Sequence, residues 1–402
     1  MNKIKYLIFL LSLSYFGYSQ DTLKEIKTAN YVEPEIMAGC IVPNYPGYPA
    51  VHLLKSFYLS LGKFNYNPQN AWSGYYNYPF TGVSVSYTEL GNTKVFGEEL
   101  RIMPYIELNT SNKLQNALIF KLGIGCSYLT KHFNEATNSG NYAIGSGFNF
   151  AFQAFLHYNV ITGKQSILRI GGGYLHSSNG HTQLPNFGLN TATLSVSYLN
   201  FMKPLSNYHL DKFIKPAIDK KKQYFVLLRS GIGMHEFGGT MNPVGGAKRG
   251  VFSVAASTGI IFKHNIKVQA GFAYRFYQQF YSYILNHETP QYIEHPVINS
   301  SNFYFYAGCE YLLGHAGIDI EGGLNLYKPF FKKYNTLFEN NRGFSFMLKK
   351  LFNSRLGLKL YLLNTAKQHK NNLFMAAHIN ANFGEADFSD ISLGYIFIIP
   401  GK

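Results

Sequence analysis

Apolar and polar residues alternate one by one along much of this chain. Leu118, Phe120, Leu122, Ile124, Cys126 and Tyr128 interleave with Lys121, Gly123, Gly125 and Ser127. Tyr142, Ile144, Phe148, Phe150 and Phe152 interleave with Ala143, Gly145, Gly147, Asn149, Ala151 and Gln153. Val268, Phe272, Tyr274 and Phe276 oppose Lys267, Gln269 and Arg275, while Ile318, Ile320, Leu324 and Leu326 oppose Asp319, Glu321 and Asn325. Leu356, Leu358, Leu360 and Leu362 oppose Arg355 and Lys359. A period of two marks a strand lying between two unlike environments. Here the second face is rich in Gly, Ser, Asn and charge, and the runs are about ten residues long, enough to cross a bilayer at a tilt. The pattern predicts an all-β fold, an antiparallel transmembrane β-barrel with apolar rows toward lipid and polar rows toward the lumen. Tyr128, Tyr174, Tyr198 and Tyr395, near strand ends, fit an interfacial aromatic girdle.

Connections should then alternate in length. Short turns are expected around Thr162–Lys164, His264–Asn265 and Asn353–Ser354, and longer extracellular loops near Thr130–Asn141, Ser178–Leu189, Leu285–Ser301 and Asn364–Lys370. The strand count reaches about seventeen, and single-chain barrels of this kind have an even number. Either the first strand, near Glu35–Val42, or the last, Ile391–Ile399, is then spurious. Two arrangements stay open: one barrel of about 14–16 strands, or an eight-stranded barrel followed by a second barrel half. The corresponding division is 1–20 leader, 21–202 first barrel half, 203–222 basic periplasmic linker, and 223–402 additional strands.

The leader is read from its chemistry. Lys3 and Lys5 precede an apolar run from Tyr6 to Tyr15, and small Gly17 and Ser19 follow, the pattern of a secretory signal peptide. Export sets the charge in context: the formal +15 suggests anionic lipid heads of lipopolysaccharide, or simply solvated loops, rather than nucleic acid. Cys40, Cys126 and Cys309 form no disulfide framework and are expected to be small buried hydrophobes. The histidines show no metal-ligand spacing, and Gly171-Gly172-Gly173 lies within a strand, so it reads as close packing or a bend.

One hairpin carries candidate chemistry: strand Gln165–His176, loop Ser178–Leu189, strand Asn190–Asn200. Arg169 belongs in the lumen, because a charge facing lipid at mid-depth would cost about 2–4 kcal/mol. His176 and Ser178 have the opposite parity and so face lipid at the extracellular rim, with Asn190 pointing the same way from the partner strand. Serine attack on an ester needs a base within reach, and the base needs an orienting partner. Ser177 points the other way. His181, in the same loop, is expected to be solvated, with lipid phosphate binding as the alternative.

His176-Ser177-Ser178-Asn179, followed by Pro185-Asn186-Phe187-Gly188-Leu189-Asn190, resembles the active-site hairpin of the PagL-type lipid A 3-O-deacylases, outer-membrane esterases also known as acyloxyacyl hydrolases. Tyr78-Pro79-Phe80-Thr81-Gly82 and Leu90-Gly91-Asn92 are similar to the family as well, so the resemblance covers roughly residues 30–200. It implies Ser178 as nucleophile and His176 as base, with Asn179 and Asn186 near the oxyanion-stabilising region. It departs from the family at Asn190, where a glutamate would be the third member. No acidic residue occurs from Ala136 to Leu210. A slower enzyme oriented by Asn190, an acid borrowed from a neighbouring strand, and a scaffold without activity are the three consequences to separate.

The sequence therefore leads to an outer-membrane serine esterase acting on lipid A of lipopolysaccharide, needing no cofactor and no metal. The alternative is a non-catalytic outer-membrane barrel (porin, uptake or surface-binding protein) that keeps the hairpin. Outer-membrane lipids are the expected partners; nucleic acid is not, and nothing points to a protein partner.

Overall fold

The computed structural model describes residues 28–66, 71–110, 113–204, 222–240, 245–263, 265–287, 289–367 and 369–399. Strands β1 (Ala29–Ile41), β2 (Leu54–Phe64), β3 (Phe80–Glu89), β4 (Glu98–Asn109), β5 (Leu118–Leu129), β6 (Phe148–Thr162), β7 (Ser166–Ser178) and β8 (Leu189–Phe201) close into one barrel, with β8 pairing back onto β1. Strands β9 (Lys222–Glu236), β10 (Lys248–Phe262), β11 (Ile266–Tyr277), β12 (Ser301–Leu313), β13 (Ala316–Tyr327), β14 (Phe352–Tyr361), β15 (Asn371–Asn382) and β16 (Glu385–Ile399) close a second, with β16 on β9. The chain is thus all-β with two closed antiparallel barrels, the second of the two arrangements the sequence left open. Both suspected strands are real, as β1 and β16. The leader and nearly all of the basic stretch 203–222 lie outside the described residues.

Alternation sorts the side chains as expected. Along β7, Ile167, Arg169, Leu175 and Ser177 are buried inside, while Ile170 and Tyr174 are exposed on the outer face. No helix among the described residues is long and apolar enough to cross a membrane; the strands supply the apolar belt. Cys40 and Cys126 are also on the outer face and Cys309 is partly exposed, which corrects the expectation that they are buried. Parity aims them at lipid, where a thiol needs no partner.

Each lumen is filled with paired charge. In the first barrel Arg169 bridges Glu33 at 3.1 Å and Glu107 at 3.0 Å, and His157 meets Glu35 at 2.9 Å. In the second, Arg229 pairs with Glu321, Lys359 bridges Glu310 and Asp319 at 2.9 Å, and Arg355 meets Asp390 at 3.0 Å. These groups are almost wholly buried. Eight strands enclose only enough space for side chains to fill, so the interiors are cores and do not resemble the water-filled channels of larger porins.

Three expectations along the chain are corrected. Residues 142–147 belong to the β5–β6 loop, and β6 begins only at Phe148. Asn353–Ser354 lies inside β14; the β13–β14 connection is instead a long one carrying helices Phe331–Tyr334 and Gly343–Leu351. That insertion moves Asn364–Lys370 to the opposite, short-turn end of the barrel. The helices escape a period-two reading because their apolar residues recur at three and four.

The barrels meet at both ends. At the short-turn end, the Tyr76 hydroxyl following helix Ala71–Tyr75 donates to the Asn265 carbonyl at 3.2 Å. At the long-loop end, the β7–β8 loop lies over the rim of the second barrel.

Candidate active site

Antiparallel register brings the hairpin's polar groups together. His176 is paired with Asn190 across β7–β8 and with Phe152 across β6–β7, and Ser178 is paired with Phe150. The Nδ1 of His176 lies 2.6 Å from the Asn190 Oδ1, which also accepts the Tyr174 hydroxyl at 2.5 Å. An amide oxygen can only accept, so Nδ1 carries the proton and Nε2 keeps its lone pair. Among the described residues no carboxylate hydrogen-bonds His176. Glu99 lies inside the barrel, taken up by Ser177 at 2.5 Å and Arg101 at 2.6 Å.

The Ser178 hydroxyl faces the loop. Its Oγ accepts from the Asn186 Nδ2 at 2.9 Å and from the Gly180 backbone N–H at 3.1 Å. No hydrogen bond joins it to His176 here; such contacts often tighten only when substrate is bound. The Asn186 Oδ1 accepts from the Asn179 N–H at 3.1 Å and from the Ser178 hydroxyl at 3.2 Å, so both ends of the amide lie at the serine. The Asn179 side chain turns away to Gln183 O at 2.7 Å and Ser146 Oγ at 3.0 Å, where it props the loop. Asn186 therefore sits at the serine, and Asn179 contributes through its backbone.

Neighbouring loops hold this geometry. Asn44 Nδ2 donates at 2.9 Å to both the Phe187 and Gly188 carbonyls, and the Gly188 N–H donates to Ala143 O at 2.9 Å. Gly188 has φ +79°, and a Cβ there would lie 2.5 Å from His176 Cε1. The backbone thus packs directly on the imidazole, an approach that glycine permits. Tyr174 shares parity with His176 and was legible as a neighbour; the roles of Gly188, Gly180 and Asn44 rest on loop geometry that no periodicity carries.

His181 is neither solvated nor available to phosphate. It is buried, stacked on His235 with ring centroids 4.8 Å apart, and its Nε2 is 3.3 Å from the Tyr334 hydroxyl. The second barrel covers it, so the expectation of a solvated loop histidine fails for a reason that local sequence does not contain. Burial holds its imidazole below the usual pKa. No metal-holding cluster of His, Cys, Asp or Glu occurs among the described residues.

Residues 61–199 match the family model described as Lipid A 3-O-deacylase (PagL). The matched segment lies within the first barrel, from β2 to β8. With its lipid-facing apolar belt, this places the chain in the outer membrane. The deacylase match ends within β8, so the second barrel lies beyond it. Among solved structures, the chain is similar to the outer membrane enzyme PagL, at 15% identity over 41% of this chain and 97% of that one, with a TM-score of 0.30. It is also similar to an outer membrane channel from Pseudomonas putida F1, at 9% identity over 95% and 100% of the two chains, TM-score 0.18. A third similar structure is outer membrane phospholipase A from Escherichia coli, at 11% identity over 94% and 98%, TM-score 0.18. No curated protein matches the chain.

Proposed function

We propose that the protein is an outer-membrane serine esterase that removes an ester-linked acyl chain from lipid A. The observation that carries this reading is the pair at the rim: His176, with Nδ1 held by Asn190, and Ser178, two residues on in the same strand and covered by the β7–β8 loop. Substrate acyl chains would lie along the outer surface of β6–β8, against Phe150, Phe152, Tyr174 and Leu194, which already belong to the lipid belt.

In the reaction, Ser178 Oγ attacks the ester carbonyl carbon while its proton passes to His176 Nε2. Charge gathers on the former carbonyl oxygen, where donors such as the Asn186 NH2 and the Gly180 N–H are of most use. Collapse breaks the bond to the sugar oxygen, which takes the proton from His176. Water then attacks the acyl-serine with His176 again as base, releasing the fatty acid and restoring Ser178 Oγ–H. Asn190 keeps the imidazole in the productive tautomer but, being neutral, does not offset the imidazolium charge. This predicts a working but slow enzyme.

Asn190 in place of the family's glutamate also favours a rival, a barrel that keeps the hairpin without catalysis. Mass spectrometry of lipid A from cells producing the wild type or Ser178→Ala separates the two. The esterase reading expects lipid A lacking one acyl chain with the wild type and intact lipid A with the variant. Intact lipid A in both supports the rival, and deacylation in both removes Ser178 from the mechanism.

A further inference from the structure

The loop that delivers Gly180 and Asn186 to Ser178 is gripped by the second barrel. Ser389 Oγ, from β16, donates to the Asn179 carbonyl at 3.3 Å, which also accepts from Thr182 Oγ1 at 3.1 Å. That carbonyl belongs to the same planar peptide unit as the Gly180 N–H that reaches Ser178 Oγ. Fixing the oxygen on one side of a peptide plane fixes the direction of the N–H on the other. At Gly180, with φ +61°, a Cβ would lie 2.1 Å from Ser389 Oγ, so the two barrels touch at this peptide. Glu236, at the end of β9, adds a second grip: its Oε2 accepts from the Leu184 N–H at 3.0 Å and its own N–H donates to His181 O at 3.2 Å. Lys248 Nζ reaches Gln183 Oε1 at 2.7 Å.

We propose that the second barrel is a positioning element for the esterase site, with Ser389 and Glu236 holding the Asn179–Leu184 segment so that the Gly180 N–H stays aimed at the reacting centre. The inference rests on the esterase reading above and extends it beyond the residues that the deacylase model covers. Neither residue touches substrate. Both act through a backbone whose remaining ties include Ser146, Ala143 and Asn44 of the first barrel. Serine attack would still occur without them, but with one oxyanion donor less well directed.

The test uses the full chain refolded in detergent, its folded state checked by heat-dependent gel mobility, with kcat and KM measured on a p-nitrophenyl acyl ester. Ser389→Ala and Glu236→Ala are each expected to lower kcat about two- to tenfold, the loss of one ordinary hydrogen bond, with KM unchanged. Glu236→Gln, whose amide oxygen can still accept from Leu184, should restore most of the loss. Gly180→Ala should lower kcat about a hundredfold by displacing the peptide, and adding Ser389→Ala should recover part of it by removing the clash. Wild-type kcat in both alanine variants of the second barrel would overturn the proposal while leaving the esterase reading intact. An inactive wild type, or an active Ser178→Ala, would overturn both.

Discussion

In the first barrel the seventh strand ends on its outer face with His176 and Ser178, and loop 179–188 folds back over them. In the second barrel the seventh strand, β15, runs straight through the tight turn Phe383–Gly384 into β16. Its histidine, His378, points inward to Asp319 at 3.0 Å. Both barrels are held by buried ion pairs. The difference lies in parity and in loop length at one rim. A histidine one position out of phase becomes a lumen strut, and a hairpin without a loop has no donors to bring to a serine. Architecture is therefore shared, and chemistry is placed on it locally.

The largest effect should come from testing that parity directly. His176→Ala is expected to reduce esterase kcat by about a thousandfold or more, whereas His378→Ala should leave kcat per folded molecule at the wild-type level. Steady-state assays normalised to the folded fraction make the comparison, and equal losses from both would dissolve it. Stability should respond in the opposite, symmetrical way. Arg169→Met leaves Glu107 with Lys121 at 3.5 Å as its remaining cation and Glu33 with the Ser197 hydroxyl, and Arg229→Met leaves Glu321 with Arg355 at 3.7 Å; each should cost about 3 kcal/mol in urea unfolding. A cost confined to one barrel would show that the two lumens are not equivalent cores.

Much of this contrast was legible in the chain. Alternation around Arg169 placed His176, Ser178 and Asn190 on one face of one hairpin, because a strand's period of two leaves a residue no third direction. The helices over the second barrel's mouth were missed because their apolar spacing differs and short turns were sought in their place. Contacts at the clasp had no local trace. Glu236 and Ser389 are distant in sequence from the loop they hold, and His181 is buried by a surface that strand periodicity says nothing about.

Asn190→Glu sharpens the comparison from the other side. It supplies the charge that the imidazolium lacks, so kcat should rise about tenfold or more; no change would mean that orientation alone was limiting. The smallest effect concerns the clasp. Burial keeps His181 neutral at pH values where the unfolded chain takes up a proton. Its contribution to stability is therefore present above about pH 6.5 and is lost progressively as pH falls below that, toward the depressed native value. Hydrogen exchange of Gly180–Leu184 should accordingly lose protection between pH 7 and pH 5.5, after correction for intrinsic rates, and His181→Phe should weaken that dependence, leaving the part that the stacked, buried His235 contributes. Protection that rises on acidification would reverse the assigned sign.

The most direct measurement of the central claim is covalent trapping of the nucleophile. The full chain in detergent is treated with a fluorophosphonate, digested, and its peptides mapped by mass. The account predicts one adduct, on Ser178, lost in His176→Ala. An adduct on Ser177, or none on a folded wild type that hydrolyses ester, would contradict it.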